Sequence, residues 1–428
     1  MLTGRRPWMD YFGESDGELT ISGLKVSQLE KRFGTPLYVY DLSVVEKKYR
    51  MVKEALEGFD IFYSIKANPN LHIMKLLSSL GAGMEVASTG ELFLAKKIGV
   101  SPSNIIFAGP GKTDTELREA VVSGIYAVNV ESLGELKRLE LIADELQRDV
   151  GVALRINTRE TAESAPEKMV GGSSKFGFDE ETVVSELRSV ALNRCRILGI
   201  HVYTGSGVLD VEELLAAFKR ILRLACALSQ ELKFPLRFID FGGGFGVPYS
   251  EGEEPLDLLA YAEGVKSALD EVSGEFDLSD TRLAFELGRY LVAESGVYLT
   301  KVIDVKESRG STYVITDGGM NQLIRPVFMK TDHPTVVATA LDSKGRPATI
   351  AGPLCTPIDV IASEVEIGTA DVGDLIAVFN AGAYGYSMSM LYFLSHPLPA
   401  EVVIDKGTPI LARRRGGVED ALIHQVNY

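Results

Sequence analysis

The sequence predicts an α/β chain made of a (β/α)8 barrel, residues 36–277, and an antiparallel β domain built from residues 1–35 and 278–428. Short apolar runs alternate with amphipathic segments from about Thr35 to Gly274, as expected of parallel strands joined by helical crossovers. Seven or eight such units favour a closed barrel over an open sheet. From Arg282 onward the texture changes to short β-branched runs separated by Gly, Asp and Pro, the pattern of an antiparallel sheet. A chain of 428 residues is also longer than one core usually holds.

Taken in order, the barrel strands are expected at Ile61–Ile65, Gly83–Val86, Ile105–Ala108, Ala127–Val130, Gly151–Ile156, Ile197–Val202 and Arg237–Phe241. Val44–Leu56 and Glu212–Leu228 carry apolar residues at helical spacing and are expected as helices. The β domain should use Val297–Val305, Thr312–Thr316, Thr335–Ala338, Thr349–Ala351, Leu375–Phe379 and Glu401–Ile404, with Leu19–Ile21 and Leu37–Tyr40 as further strands.

Composition removes several function classes. With 46% hydrophobic and 24% charged residues the chain reads as globular. A formal charge of −15 opposes binding to nucleic acid or anionic membrane through the overall field. Cys195, Cys226 and Cys355 are too few and too scattered for a disulfide framework or a zinc site, and no metal is expected. No run approaches a membrane span, and Met1 to Asp16 has no apolar core of signal-peptide length, so a reducing cytoplasm is the expected setting.

Several motifs carry chemistry. Lys66-Ala67-Asn68-Pro69 ends the first strand run, and barrel enzymes place chemistry at that mouth, where an amine can form a Schiff base. Alone it would be an ordinary exposed lysine. Glu85-Val86-Ala87-Ser88-Thr89-Gly90-Glu91 ends the next strand, and its Ser or Thr could equally cap a helix. Phe241-Gly242-Gly243-Gly244-Phe245-Gly246 follows another strand, where consecutive glycines allow backbone N–H groups to converge on an anion. A tight βα turn would use the same glycines. Phe285-Glu286-Leu287-Gly288-Arg289 could be a weak surface ion pair. Gly352-Pro353-Leu354-Cys355 could hold an inert cysteine. Gly382-Ala383-Tyr384-Gly385 completes the set.

In this order and spacing, from about Leu24 to Glu419, the motifs resemble the fold-type III pyridoxal phosphate decarboxylases with the alanine racemase-like fold, the diaminopimelate/ornithine/arginine group. The resemblance implies pyridoxal 5′-phosphate on Lys66, with Glu85 beside it and Gly243, Gly244, Arg289, Ser206 and Tyr384 around the coenzyme. Glu286 would pair with the pyridine nitrogen and make the ring an electron sink. Cys355 would return a proton at Cα, contributed across a homodimer interface. Leu287 stands where the family usually has proline.

Two departures matter more than the matches. The family's ring-stacking histidine falls at Tyr203, with His201 two residues earlier; either could face the ring, and Tyr203 is the favoured stacker. After the cysteine, the acid that holds a distal ammonium in relatives is replaced by Thr356 in Thr356-Pro357-Ile358-Asp359, and Thr356 and Asp359 are expected near the substrate. Met320 to Pro326 keeps a diaminopimelate-type segment in which Arg325 would clamp a carboxylate. This pattern resembles a side branch that includes the glutamyl-acyl-carrier-protein decarboxylase and the exosortase-associated decarboxylases. The implied activity is α-decarboxylation of an L-amino acid or a side-chain-acylated one, with an acyl carrier protein as a possible partner. Diaminopimelate decarboxylase is the alternative enzyme. A non-catalytic pyridoxal phosphate-binding regulator is the alternative from another class.

Overall fold

The computed structural model describes residues 7–159, 167–168, 170–188, 190–250 and 252–426. Its chain divides into two compact units, residues 48–247 with 255–290, and residues 7–47 with 248–254 and 291–426.

In the first unit eight strands, Asp60–Ser64, Gly83–Val86, Ile105–Phe107, Ala127–Val130, Val150–Asn157, Cys195–His201, Phe238–Asp240 and Arg282–Leu287, pair in sequence order and all in parallel. Arg282–Leu287 then pairs with Asp60–Ser64, so the sheet closes into a barrel. This last strand lies beyond residue 277, where the sequence ended the barrel; the domain boundary is corrected to include it. An apolar run such as Leu283-Ala284-Phe285 has the same texture in a parallel or an antiparallel sheet, and only its partners decide.

The barrel interior alternates large and small residues. Phe62 and Phe238 pack edge to face at 6.5 Å among Ile106, Ala127, Ala153 and Ala284. A Cβ on Gly83 would lie 2.5 Å from the Phe62 ring, and one on Gly199 would lie 1.6 Å from the Phe238 carbonyl oxygen. The Phe62 ring therefore fits only because Gly83 is small, and Gly199 lets the neighbouring strand's backbone at Phe238 approach closely.

Helices follow the strands and start where a polar side chain can take their free N–H groups. Ser88, Thr113, Ser132, Asp210 and Asp257 cap the helices Thr89–Lys97, Asp114–Ser123, Leu133–Glu145, Val211–Leu232 and Leu258–Ser273. Leu42–Ala55 and Val211–Leu232 are the helices expected near 44–56 and 212–228.

The second unit holds a sheet of the expected strands except Leu19–Ile21, plus Val360–Gly368 and Thr408–Arg413, which the sequence did not suggest; Glu18–Ile21 pairs instead with Gly13–Ser15 and Leu24–Lys25 in a small antiparallel sheet. Most pairs are antiparallel, but Ala400–Asp405 runs parallel to Leu37–Asp41, and Ser311–Thr316 parallel to Gly345–Ala351. The sheet is thus mixed. Leu37–Asp41 belongs here, which corrects the boundary placed at residue 36. Trp8 stacks on Phe379 at 4.9 Å beside Leu37, Val297 and Val402 in this unit's core. Among the described residues no helix is long and apolar enough to cross a membrane.

Phe238→Ala removes one of the two rings that fill the barrel. It is expected to lower the unfolding free energy by about 3–5 kcal/mol in a urea titration followed by circular dichroism. A loss below ~1 kcal/mol would mean that the interior repacks.

Candidate active site

The rim formed by the strands' C-terminal ends gathers the barrel's polar residues. Lys66 lies on the short helical turn Ile65–Ala67, directly after the first barrel strand. The Tyr63 hydroxyl donates to the Asn68 carbonyl at 2.8 Å, and Asn70 caps the next helix by accepting the His72 N–H, so the turn is held at both ends. A Cβ on Gly288 would meet the side-chain carbons of Ala67 and Ser64 at 3.0 and 3.2 Å, which explains the glycine beside this turn. Lys66 Nζ lies 2.9 and 2.8 Å from the two oxygens of Glu85, a carboxylate that is almost fully buried.

Glu85 thus pairs with the lysine, while the following residues form a helix start. Ser88 Oγ accepts the Glu91 N–H, and Glu91 Oε2 accepts the Ala87 N–H at 2.7 Å. The helix-cap reading of the Glu85–Glu91 segment holds, with Glu85 paired to Lys66 beside it. Burial, and then the Glu85 charge, push the Glu91 carboxyl up to about 7 against the opposing pull of the Ala87 N–H and Lys66.

The glycine run sits close against its neighbours. A Cβ on Gly243 would lie 2.0 Å from the Glu286 carbonyl oxygen, and one on Gly244 would lie 2.7 Å from that of Gly205. Gly244 also has φ +108°. Arg289 Nη2 donates to Ser206 Oγ at 3.3 Å, and both residues are buried. The Tyr203 ring lies between Lys66, whose Nζ is 5.8 Å from the ring centroid, and the Gly243 position.

Glu286 lies deeper, on the closing strand. His201 Nε2 is 3.4 Å from Glu286 Oε2, and Asn129 Nδ2 donates to Glu286 Oε1 at 3.3 Å. Asp240 completes the group: nitrogen or oxygen atoms of His201, Asp240 and Glu286 lie within 4.8 Å of one another, all buried. The structure therefore separates the two aromatic candidates, with Tyr203 beside the lysine and His201 beside the glutamate.

Sequence reasoning missed Asn129, Asp240 and a second buried group. Lys112 Nζ donates to Glu135 and to the carbonyls of Gly109 and Asn129, each at 2.7 Å. Arg155 Nη1 donates to Glu131 at 2.9 Å, with its guanidinium over the Phe176 ring. A signal was present: Asn129, Asp240 and Arg155 are polar residues inside apolar strand runs, and such residues need buried partners.

The β-domain candidates are arranged separately. Arg325 is buried at the start of the helix Arg325–Met329, with its guanidinium over the Tyr249 ring at 4.7 Å. Asp359, expected near the substrate, is buried, and its two oxygens accept the N–H groups of Met320 and Leu354 at 2.7 and 2.8 Å. Cβ atoms on Gly319 or Gly352 would strike this carboxylate at 2.4 Å, so the glycines make room for it. Asp359 braces the turn that carries Cys355 and Thr356. The Cys355 residue is exposed, and Thr356 is half-buried. Tyr384 is half-buried in the left-handed backbone region at φ 56°.

Comparison with known proteins agrees with this geometry. Residues 42–293 match the family model described as pyridoxal-dependent decarboxylase, pyridoxal binding domain. The chain is 37% identical to the L-glutamyl-[BtrI acyl-carrier protein] decarboxylase of Niallia circulans, over 95% of this chain and 97% of the relative. It is 36% identical to the diaminopimelate decarboxylase of Aquifex aeolicus, over 97% and 96%. The crystal structure of diaminopimelate decarboxylase from M. jannaschii superposes with TM-score 0.91 at 29% identity, covering 99% of both chains. The coenzyme these relatives imply is pyridoxal phosphate. The barrel residues fit it: a lysine amine, a buried carboxylate, an aromatic ring, and a glycine turn beside Arg289 and Ser206 whose space a Cβ would fill.

Two predictions follow from the rim. The native state holds the Glu91 proton more tightly than an unfolded glutamate does at the ordinary value of 4.5, so its contribution is complete below that pH and is lost as pH rises towards 7. Glu91→Gln should flatten the fall of Tm across that interval, and an unchanged slope would remove Glu91 as the cause. Gly243→Ala should weaken coenzyme binding about tenfold or more, because the Glu286 carbonyl must move to admit the methyl group; absorbance titration of the apoprotein measures it.

Proposed function

The chain belongs to the pyridoxal-dependent decarboxylases, and from that premise we propose that its substrate is an L-amino acid with an acylated side chain, best represented by a glutamyl group on an acyl carrier protein. The observation that carries this reading is the turn Gly352–Asp359. Its one acid, Asp359, has both oxygens occupied by backbone N–H groups, and Thr356 stands where an acid would hold a distal ammonium. An ammonium buried there without a carboxylate would be costly. An acylated side chain brings no such charge.

When bound, pyridoxal phosphate supplies an electron sink for the pair left on Cα as CO2 departs. In this reading Lys66 would anchor it through Nζ, and Tyr203 would stack on its ring. Glu286, with His201 beside it, would pair with the ring nitrogen. The Gly243–Gly244 turn, Ser206 and Arg289 take the phosphate, and the Tyr384 hydroxyl adds to them. Cys355 would return the proton to Cα, while a carboxylate clamp at Arg325 would serve the diaminopimelate alternative, whose distal carboxylate survives the reaction. The working form is read as a homodimer, in line with a cysteine supplied by the second copy.

The similarity to the Niallia decarboxylase supports a carrier-linked glutamyl substrate. A relative from Staphylococcus aureus, 35% identical over 85% of this chain and 92% of its own length, is named for a substrate in which an alanine is joined through a carbamoyl group, again without a distal ammonium. Arg325 and the Aquifex relative favour diaminopimelate instead. A non-catalytic role is opposed by the joint presence of Lys66, Glu85, Glu286, Arg325 and Cys355.

The test is CO2 release by the coenzyme-loaded protein from meso-diaminopimelate, ornithine, lysine, glutamate and a γ-glutamyl thioester, with Lys66→Ala as the inactive control. Turnover of the capped glutamate alone supports the proposal; turnover of diaminopimelate overturns it. Thr356→Glu should raise kcat/KM for amine-ended substrates about tenfold, and no change in any substrate would place residue 356 away from the side chain. Cys355→Ala should lower kcat by about a hundredfold or more while coenzyme absorbance stays as in the parent.

A further inference from the structure

Glu286 and Asp240 are two carboxyls whose atoms fall within 4.8 Å in a fully buried setting, 2% and 0% exposed. Two negative charges at that separation, away from water, repel strongly, so such a pair holds a proton. The surroundings decide which residue carries it. Glu286 faces three groups that favour its charge: His201 at 3.4 Å, the Asn129 amide and the Lys66 ammonium. Asp240 Oδ1 accepts the Gly242 N–H at 2.9 Å, but Oδ2 meets no donor among the described residues. As a carboxylate oxygen, Oδ2 would be buried without compensation. As a hydroxyl, it has a ready acceptor in Glu286.

We propose that Asp240 is protonated and acts as a neutral hydrogen-bond donor that positions the ionised Glu286 carboxylate. Burial and the Glu286 charge move the Asp240 carboxyl well above the usual carboxylate range. Burial alone would raise Glu286 too, but His201, Lys66 and the hydrogen bond from Asp240 together hold it below that range. Asp240 is a positioning residue, since it reaches the coenzyme ring only through Glu286. An aspartate at this place therefore differs from an ordinary buried acid: its hydrogen is the functional part. This inference rests on the proposed function only in what Glu286 faces; the location of the proton is independent of the coenzyme.

The experiment compares the parent with Asp240→Asn and Asp240→Leu. Asparagine keeps one oxygen for the Gly242 N–H and offers N–H towards Glu286; leucine offers neither. Infrared difference spectra of the apoproteins at neutral pH should show a protonated-carboxyl band in the parent that Asp240→Asn removes. Coenzyme affinity by absorbance titration should fall less than about threefold in Asp240→Asn and more than about tenfold in Asp240→Leu. Loss of affinity in Asp240→Asn equal to that in Asp240→Leu would overturn the proposal, as would absence of the band from the parent. A parent that shows the band but takes up no coenzyme would leave the proton in place and sink the proposed function instead.

Discussion

Everything at the barrel rim depends on the pairing of Arg282–Leu287 with Asp60–Ser64. That pairing sets Glu286 opposite Phe62 and Leu287 opposite Tyr63, so a residue near position 286 meets the strand that ends just before Lys66. The chain between them must first form the six other barrel strands. Such a contact is slow to form because loop closure is entropically costly until the intervening sheet is in place. Once it forms, the sheet has no free edges, and the C-terminal ends of the strands face one another. Residues far apart in sequence, such as Lys66, Asn129, His201, Asp240 and Glu286, then share one small region without any long flexible loop holding them.

Charge within that region is nearly balanced pair by pair. Lys66 meets Glu85 and Arg155 meets Glu131. Lys112 and Glu135 show the limit of this scheme. Burial lowers the lysine and raises the glutamate, against their mutual attraction, so the pair gains less than its 2.7 Å separation suggests. Its value lies in geometry: Lys112 also takes the Asn129 carbonyl, and the Asn129 side chain reaches Glu286. A costly buried pair is tolerated where it fixes the backbone behind a side chain that reaches Glu286.

The sequence made the barrel legible because parallel strands buried on both faces are short apolar runs, and seven of the eight stood out on that basis. The eighth did not, since an apolar strand next to a β-rich segment looks the same whichever sheet it joins. Lys66, Glu85, the glycine run and Glu286 were legible because they lie in contiguous motifs at strand ends. Asn129 and Asp240 were not, because each is a single polar residue whose partner Glu286 lies 157 or 46 positions away. Asp359 was misleading for the opposite reason. It stands beside the catalytic candidates in sequence, yet its oxygens serve two backbone N–H groups.

Asp359 also shows how substrate choice and framework can be read apart. In the segment from Gly352 to Asp359, a carboxylate that braces the backbone is distinguished from one available to a ligand by what its oxygens already accept. One N–H bond to each oxygen ties the Asp359 carboxylate to the backbone of Met320 and Leu354, and glycines at 319 and 352 open the space it occupies. In the proposed reading the acid three residues later braces the backbone and does not stand in for one at 356. On the proposed reading a charged distal amine would meet only a carboxylate already bonded to the backbone on this turn, whereas an amide or thioester needs only hydrogen bonds. The proposed specificity thus rests on which polar groups the fold has already used.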